Sequence, residues 1–205
     1  MQYLDLKTQL KDFIVFSIKD IEKVDLSFHK QRLSEWQRKG YVKKIRQGFY
    51  IFSDLEINEP TLFTIANRIN EPSYISLEMA LSLYGLIPEA VYGLTSVTSQ
   101  KTKTFQTPIG DFIYRYTRPE LLFGYELREH NGQHYQIAEI EKAVLDYLYL
   151  NSDLKDEESF KGMRFNVGEF KEKVNLEKFN KYLVAFNSQA LTKRAKKFLT
   201  YINHA

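Results

Sequence analysis

Apolar side chains at Leu6, Leu10, Phe13 and Ile14 recur at helical spacing and predict a first helix over residues 3–16. Ser17 offers an N-cap for a short second helix over 18–23, with Ile18 and Ile21 on one face. Val24, Asp25 and Leu26 read as a turn. Ser27 is then the expected cap of a third helix over 28–39, which Gly40 ends in a left-handed conformation. On that helix His29, Leu33 and Trp36 point one way, and Ser27, Gln31, Ser34 and Arg38 the other. Two β-prone runs on either side of Gln47 and Gly48 predict a hairpin over 41–52.

Helix, helix, turn, helix, hairpin is the order of a winged helix-turn-helix, in which the third helix enters the major groove of DNA and the hairpin is the wing. A third helix of about 12 residues spans about 18 Å, enough to lie in a groove about 12 Å wide. Leu33, Trp36, Tyr41 and Tyr50 are expected to form the core of this small unit.

The pattern fades into an acidic stretch over 54–59, which places a domain boundary there. Beyond it, Leu62, Phe63, Ile65, Ala66 and Ile69 predict a helix. Ser73-Tyr74-Ile75 follows, and Ser76 caps a helix that Gly85 stops. Strands are expected over 97–107 and 112–117 around Pro108-Ile109-Gly110, and over 125–130 and 133–137 around Asn131-Gly132. Ile140, Val144, Tyr147 and Leu148 mark one side of a further helix. A polar stretch over 151–161 leads to a helical C-terminus, where Leu191, Ala195, Phe198, Leu199 and Ile202 form one face and Lys193, Arg194, Lys196 and Lys197 the other. The expected class is α+β: an N-terminal winged helix-turn-helix over 1–54, then over 55–205 a mixed domain of helices and antiparallel β-hairpins with a helical C-terminus.

Charge sharpens this picture. The chain carries a formal net charge of only +3 over 205 residues. From Phe28 to Tyr50, however, seven cations stand against Glu35 alone, a basic segment on a slightly acidic remainder. Such cations bind phosphate by releasing counterions, provided that they share one solvent-facing side. Lys39, Lys43, Lys44 and Arg46 are the candidates for that contact, with Gln47 beside them at the hairpin tip. Base edges would be read by Gln31, which suits adenine, and Arg38, which suits guanine, assisted by Ser27, Lys30 and Ser34.

Other chemistry finds little support. An aromatic fraction of 15% provides ample material for a core. Zero cysteines exclude disulfides and thiolate metal sites and fit a reducing compartment, so the cytoplasm is the expected location. The first residues lack the basic region and apolar run of a signal peptide, and no apolar run approaches the length of a membrane span. None of the 9 glycines forms a phosphate-cradling cluster, so no cofactor is expected. His130 and His134 look like metal ligands until the hairpin pairs Glu129 with His134 and His130 with Gln133, which sends the two rings to opposite faces. No metal site and no catalytic residue is expected. A metal-dependent DNA-processing enzyme, built on Glu169 and Lys171 with Asp111, is one open alternative; a winged-helix protein-interaction module is another.

Two stretches, RLSEWQRKGYVKKIRQGFYIF at 32–52 and YISLEMALSLYGLIPEAVYGLTSVTSQKTKTFQTPIGDFIYRY at 74–116, the latter continued by IAEIEKAVLDYLYL at 137–150, resemble the AbiEi family. That family is the antitoxin and transcriptional-repressor half of bacterial abortive-infection toxin-antitoxin operons, which serve in phage defence. The resemblance runs from about residue 5 to 150 and leaves the last fifty residues unmatched. It implies autorepression through promoter inverted repeats of double-stranded DNA, bound by a homodimer or by two monomers meeting there. It also implies counteraction of a co-encoded nucleotidyltransferase-like toxin, directly or indirectly, by the larger domain.

Overall fold

The computed structural model describes residues 1–88, 93–130 and 132–205. Residues 89–92, which follow Gly-Leu-Ile-Pro in the AbiEi-like stretch, and Asn131 of the expected Asn131-Gly132 turn lie outside the described residues. The architecture is mixed α+β, with two sheets.

Helix α1 (Tyr3–Gln9) is shorter than its apolar pattern suggested: the chain turns after Gln9, and Phe16 and Ser17 form a strand, β1, that pairs with Tyr50 and Phe49. Ser17 caps α2 (Ile18–Val24) as expected. Its hydroxyl accepts the Asp20 amide at 3.2 Å while the Asp20 carboxylate accepts the Ser17 amide at 2.9 Å, a reciprocal cap of the kind worth about 1 kcal/mol.

The third helix, α3, runs only from Gln31 to Arg38. Ser27 does not cap it, because the Asp25 carboxylate takes both the Ser27 hydroxyl (2.7 Å) and its N–H (3.0 Å) and holds residues 25–27 in a turn. His29 therefore precedes the helix and is exposed instead of joining Leu33 and Trp36. Gly40 ends α3 as its position predicted: at φ 74° it lets the Tyr41 amide reach the Trp36 carbonyl and the Gly40 amide reach that of Gln37.

Strands β2 (Val42–Arg46) and β3 (Phe49–Phe52) form the hairpin, and β3 lies between β1 and β2 in a three-stranded antiparallel sheet. One face of this sheet closes on the helices: Phe16, Val42, Tyr50 and Phe52 pack with Leu6, Leu10, Ile21, Phe28, Leu33 and Trp36. Tyr41 stays 42% exposed and stacks on Tyr3 at 4.6 Å, so it borders this core without joining it. The other face packs as well. Val15, Ile45 and Ile51 belong to the larger core that the remainder of the chain builds.

That larger core surrounds a six-stranded sheet in the order β6-β7-β5-β4-β9-β8. Its strands are β4 (Ser73–Ile75), β5 (Leu94–Thr98), β6 (Lys103–Thr107), β7 (Gly110–Tyr116), β8 (Tyr125–His130) and β9 (Gln133–Ala138). The expected long strand over 97–107 is two strands. The sheet is also not built of antiparallel hairpins alone: β4 runs parallel to β9, and β5 to β7. Both parallel contacts join strands distant in sequence, which local turn chemistry does not report. The β8–β9 register places Glu129 opposite His134 and His130 opposite Gln133, as expected.

Helix α4 (Glu59–Ile69), capped by Asn58, covers one face of this sheet, where Tyr114 donates to the Ala66 carbonyl at 2.6 Å. Tyr74 points to the opposite face and meets α6 (Ile140–Leu150), beside α5 (Leu77–Leu83). Helices α7 (Glu157–Gly162), α8 (Val167–Lys173), α9 (Leu176–Ala185) and α10 (Gln189–His204) complete the chain. Leu191, Ala195, Phe198 and Ile202 of α10 are buried as their spacing predicted. Arg194 is not on the open face, since its guanidinium donates to the carbonyls of Leu148 and Ser152. No helix of the described residues is long and apolar enough to cross a membrane.

Candidate nucleic-acid interface

Helix α3 owes its orientation to Leu33 (2% exposed) and Trp36 (5%), one of which follows the other by a single turn and anchors the helix on the small core. Truncating either buried side chain to Ala is of the class that costs about 2–5 kcal/mol. With that face fixed inward, Gln31, Ser34, Arg38 and Lys39 are all exposed, and so is Glu35. The exposed face is thus amide, hydroxyl and cation interrupted by one acid, a set able to donate to phosphates and to pair with base edges.

The remaining candidates divide. Lys30 is exposed just ahead of α3 and pairs with Glu22 at 3.3 Å. Ser27 is exposed in the preceding turn with its hydroxyl committed to Asp25. Lys44 and Gln47 are exposed on the hairpin. Lys43 and Lys44 are neighbours in a strand and so project to opposite faces: Lys44 stands opposite Tyr50 of the small core, and Lys43, half-buried, opposite Ile51 of the large one.

Arg46 departs furthest from expectation. It does not project freely from the hairpin tip. A bulge between Lys44 and Arg46 turns it toward the large sheet, where its guanidinium lies 4.9 Å from the ring centre of Phe49 and 4.9 Å from that of Phe105 on β6. Burial there pulls its pKa below the ordinary arginine value, partly offset by the neighbouring Tyr114. Arg32, a further cation of the basic segment, folds back to donate to the Met1 carbonyl. The segment's charges therefore do not share a single solvent-facing side. One group surrounds α3 and the outer hairpin, and a second faces the large sheet.

That second group has neighbours that periodicity did not single out. Arg68, at the last turn of α4, reaches the buried Asp20 carboxylate at 3.4 Å and Glu71 at 3.1 Å. The Lys103 ammonium stands 4.9 Å from the same Phe105 ring that Arg46 covers. The available signal was the alternation of Lys103 and Phe105 on one side of β6, which is weak without knowing that β2 lies alongside.

Away from this region, Glu169 and Lys173 form an ion pair within α8, and Asp111 sits on β7 beside Gly93. Lys142, Asp146, Tyr74 and Ser76 form a buried polar cluster that the apolar pattern of α6, carried by Ile140, Val144, Tyr147 and Leu148, does not reveal. Its signal was a Lys and an Asp one turn apart inside an otherwise apolar helix. Compared with known proteins, the chain matches no protein-family model and no curated protein sequence.

Proposed function

We propose that residues 1–54 are a winged helix-turn-helix domain that binds duplex DNA, and that the protein is a transcriptional regulator whose residues 55–205 form a second, effector domain. The observation that carries this reading is the exposed face of α3, where Gln31, Ser34, Arg38 and Lys39 stand clear of both cores on a helix anchored by Leu33 and Trp36. The chain order α1-β1-α2-α3-β2-β3, with β3 between its partners, supports it as well. In this reading α3 enters the major groove, Gln31 and Arg38 read bases, and Lys30, Lys39 and Lys44 neutralise phosphates. Ser27 and Gln47 are exposed as well, whereas Lys43 sits half-buried on the hairpin face turned toward the large core.

At eight residues α3 is about 12 Å long, which still matches a groove about 12 Å wide. The likeness of residues 32–52, 74–116 and 137–150 to the AbiEi family extends the proposal to autorepression at inverted repeats, read by two copies of the chain. It extends it further to counteraction of a nucleotidyltransferase-like toxin by the second domain, with no catalysis by this chain and no bound cofactor.

The test is selection from a random duplex library by the full chain, followed by a salt titration of the selected site. Enrichment of one sequence, with log affinity falling linearly on log salt by about 0.9 for each phosphate neutralised, is the expected result. Absence of salt-dependent duplex binding would overturn the reading. Magnesium-dependent loss of the duplex that Glu169→Ala or Asp111→Ala abolishes would favour an enzyme instead.

A further inference from the structure

Two adjoining furrows lie around the hairpin tip, between the N-terminal unit and the end of α4. One, about 490 Å³, is walled by Lys19 and Glu22 of α2, by Lys30, and by Gly48 and Phe49 at the hairpin tip. The other, about 400 Å³, continues to Arg46, Asn70 and Gln100. Phe49 and Arg68 line both, so the two form one channel that starts beside the N-terminal end of α3 and ends beyond the hairpin, at the large sheet.

Its acids already have partners. Glu22 holds Lys30, while Asp20 and Glu71 hold Arg68. Its cations are in excess. Among the described residues Lys19 and Arg46, which line the channel, and Lys103, which lies beyond its lining, have no carboxylate in ion-pair contact, and the Arg46 Nε is buried without any hydrogen-bond partner. A guanidinium taken partly out of water and offered only ring faces lacks the acceptor that its planar fork is built to bind. Lys103 adds a second positive charge over the same Phe105 ring, which raises the potential for an anion further.

We propose that this channel is a phosphate track for the duplex that α3 reads: a backbone strand leaves the groove at Lys30, crosses the hairpin tip and lies against Arg46 and Lys103, so that the second domain grips flanking DNA directly. The inference rests on the DNA-binding reading and adds to it a surface outside the first 54 residues. The occupant is a backbone, because the channel is elongated, continues from the end of α3 and presents a line of cations rather than one enclosed cage.

The test uses the full chain and the selected site in two duplexes, a core of about 12 base pairs and one extended to about 30, three helical turns. Lys19→Ala/Lys103→Ala removes two exposed cations. On the long duplex it is expected to weaken binding about tenfold and to reduce the magnitude of the salt slope by about 2, while leaving the preference for selected over random sequence unchanged. On the short duplex it should match the wild type. Arg46→Gln, with its fold checked by circular dichroism, should show the same length-dependent loss. Wild-type affinity and slope for both variants on the long duplex would overturn the track while leaving α3 binding intact. So would equal losses on both duplexes, or saturation of the channel by inorganic phosphate with no effect on the long duplex. If the wild type binds no duplex at all, the DNA-binding reading itself has failed.

Discussion

The guanidinium of Arg46, on the N-terminal hairpin, stands 4.9 Å from the ring centre of Phe105, on the edge strand of the large sheet. It stands equally far from Phe49 on its own hairpin, so one cation ties the two sheets through ring faces. Such contacts are worth about 0.5–1 kcal/mol at exposed sites and about 2 when desolvated. Phe105→Leu keeps an apolar side chain and deletes the ring face. It is expected to lower stability by about 1 kcal/mol. Amide exchange in β2 and β3 should quicken relative to α6. Unchanged exchange across the hairpin would show that Arg46 and Phe105 do not hold it.

If α3 reads bases, Gln31→Ala and Arg38→Ala change what is recognised more than how tightly DNA is held. Each lost bidentate contact should narrow the gap between selected and random duplexes by about 1–3 kcal/mol. Lys44→Ala should instead weaken both duplexes about equally, as a phosphate contact does. Competition binding with the two duplexes separates these outcomes. Full discrimination by both helix variants would mean that α3 is not the reading element.

Features set by neighbouring residues were legible in the sequence. The Ser17 cap, the Gly40 helix stop, the Gln47-Gly48 turn and the register of His130 against Gln133 each depend on side chains a few positions apart. Ser27 was misread for a related reason: Ser27 is a good cap, but Asp25 two residues earlier competes for its hydroxyl and wins. What sequence patterns could not report is pairing across long separations. The parallel contacts of β4 with β9 and β5 with β7 are of this kind, and so is the burial of the second hairpin face against residues beyond 55. The site follows the same division. Helical periodicity places Gln31, Ser34 and Arg38, whereas the position of Arg46 depends on Phe105, a partner that only the fold supplies.

Lys142 and Asp146, one turn apart in α6, are 0% and 1% exposed. The ammonium also donates to the Tyr74 hydroxyl at 2.7 Å and lies within 5.2 Å of the ring centres of Tyr74, Phe123 and Phe186. Asp146 accepts from Tyr74 and Ser76, each at 2.9 Å. Burial pulls the lysine pKa down, and the adjacent carboxylate opposes that pull. Removing either charge leaves the other buried and unpaired. Lys142→Met and Asp146→Asn are each expected to cost about 3–5 kcal/mol. The double variant Lys142→Met/Asp146→Asn should cost clearly less than their sum, as judged from denaturant midpoints. Additive losses would mean that the two charges are not energetically coupled.

Three carboxylates of the N-terminal unit titrate below their ordinary range. At Asp20 burial pushes the pKa up, but hydrogen bonds from the Ser17 hydroxyl and amide, with the charges of Arg68 and Lys23, outweigh it and hold it down. The Ser27 hydroxyl does so at Asp25, helped by the chain's amino terminus, and Lys7 does so at Asp54. A carboxyl with a depressed folded pKa binds fewer protons folded than unfolded. Its contribution is therefore complete above the unfolded value of about 3.9 and is lost as pH falls through the folded one. Asp20 is the most consequential of the three, since it caps α2 and meets Arg68 of α4 from within the structure. Asp20→Asn is expected to be less stable than the wild type at neutral pH. The gap should close as pH falls through the folded pKa, because the wild-type carboxyl then becomes as neutral as the amide. Trp36, the chain's only tryptophan and part of the small core, reports unfolding of this unit by its emission. A stability gap that persists undiminished in acid would show that Asp20 acts through its shape and not through its charge.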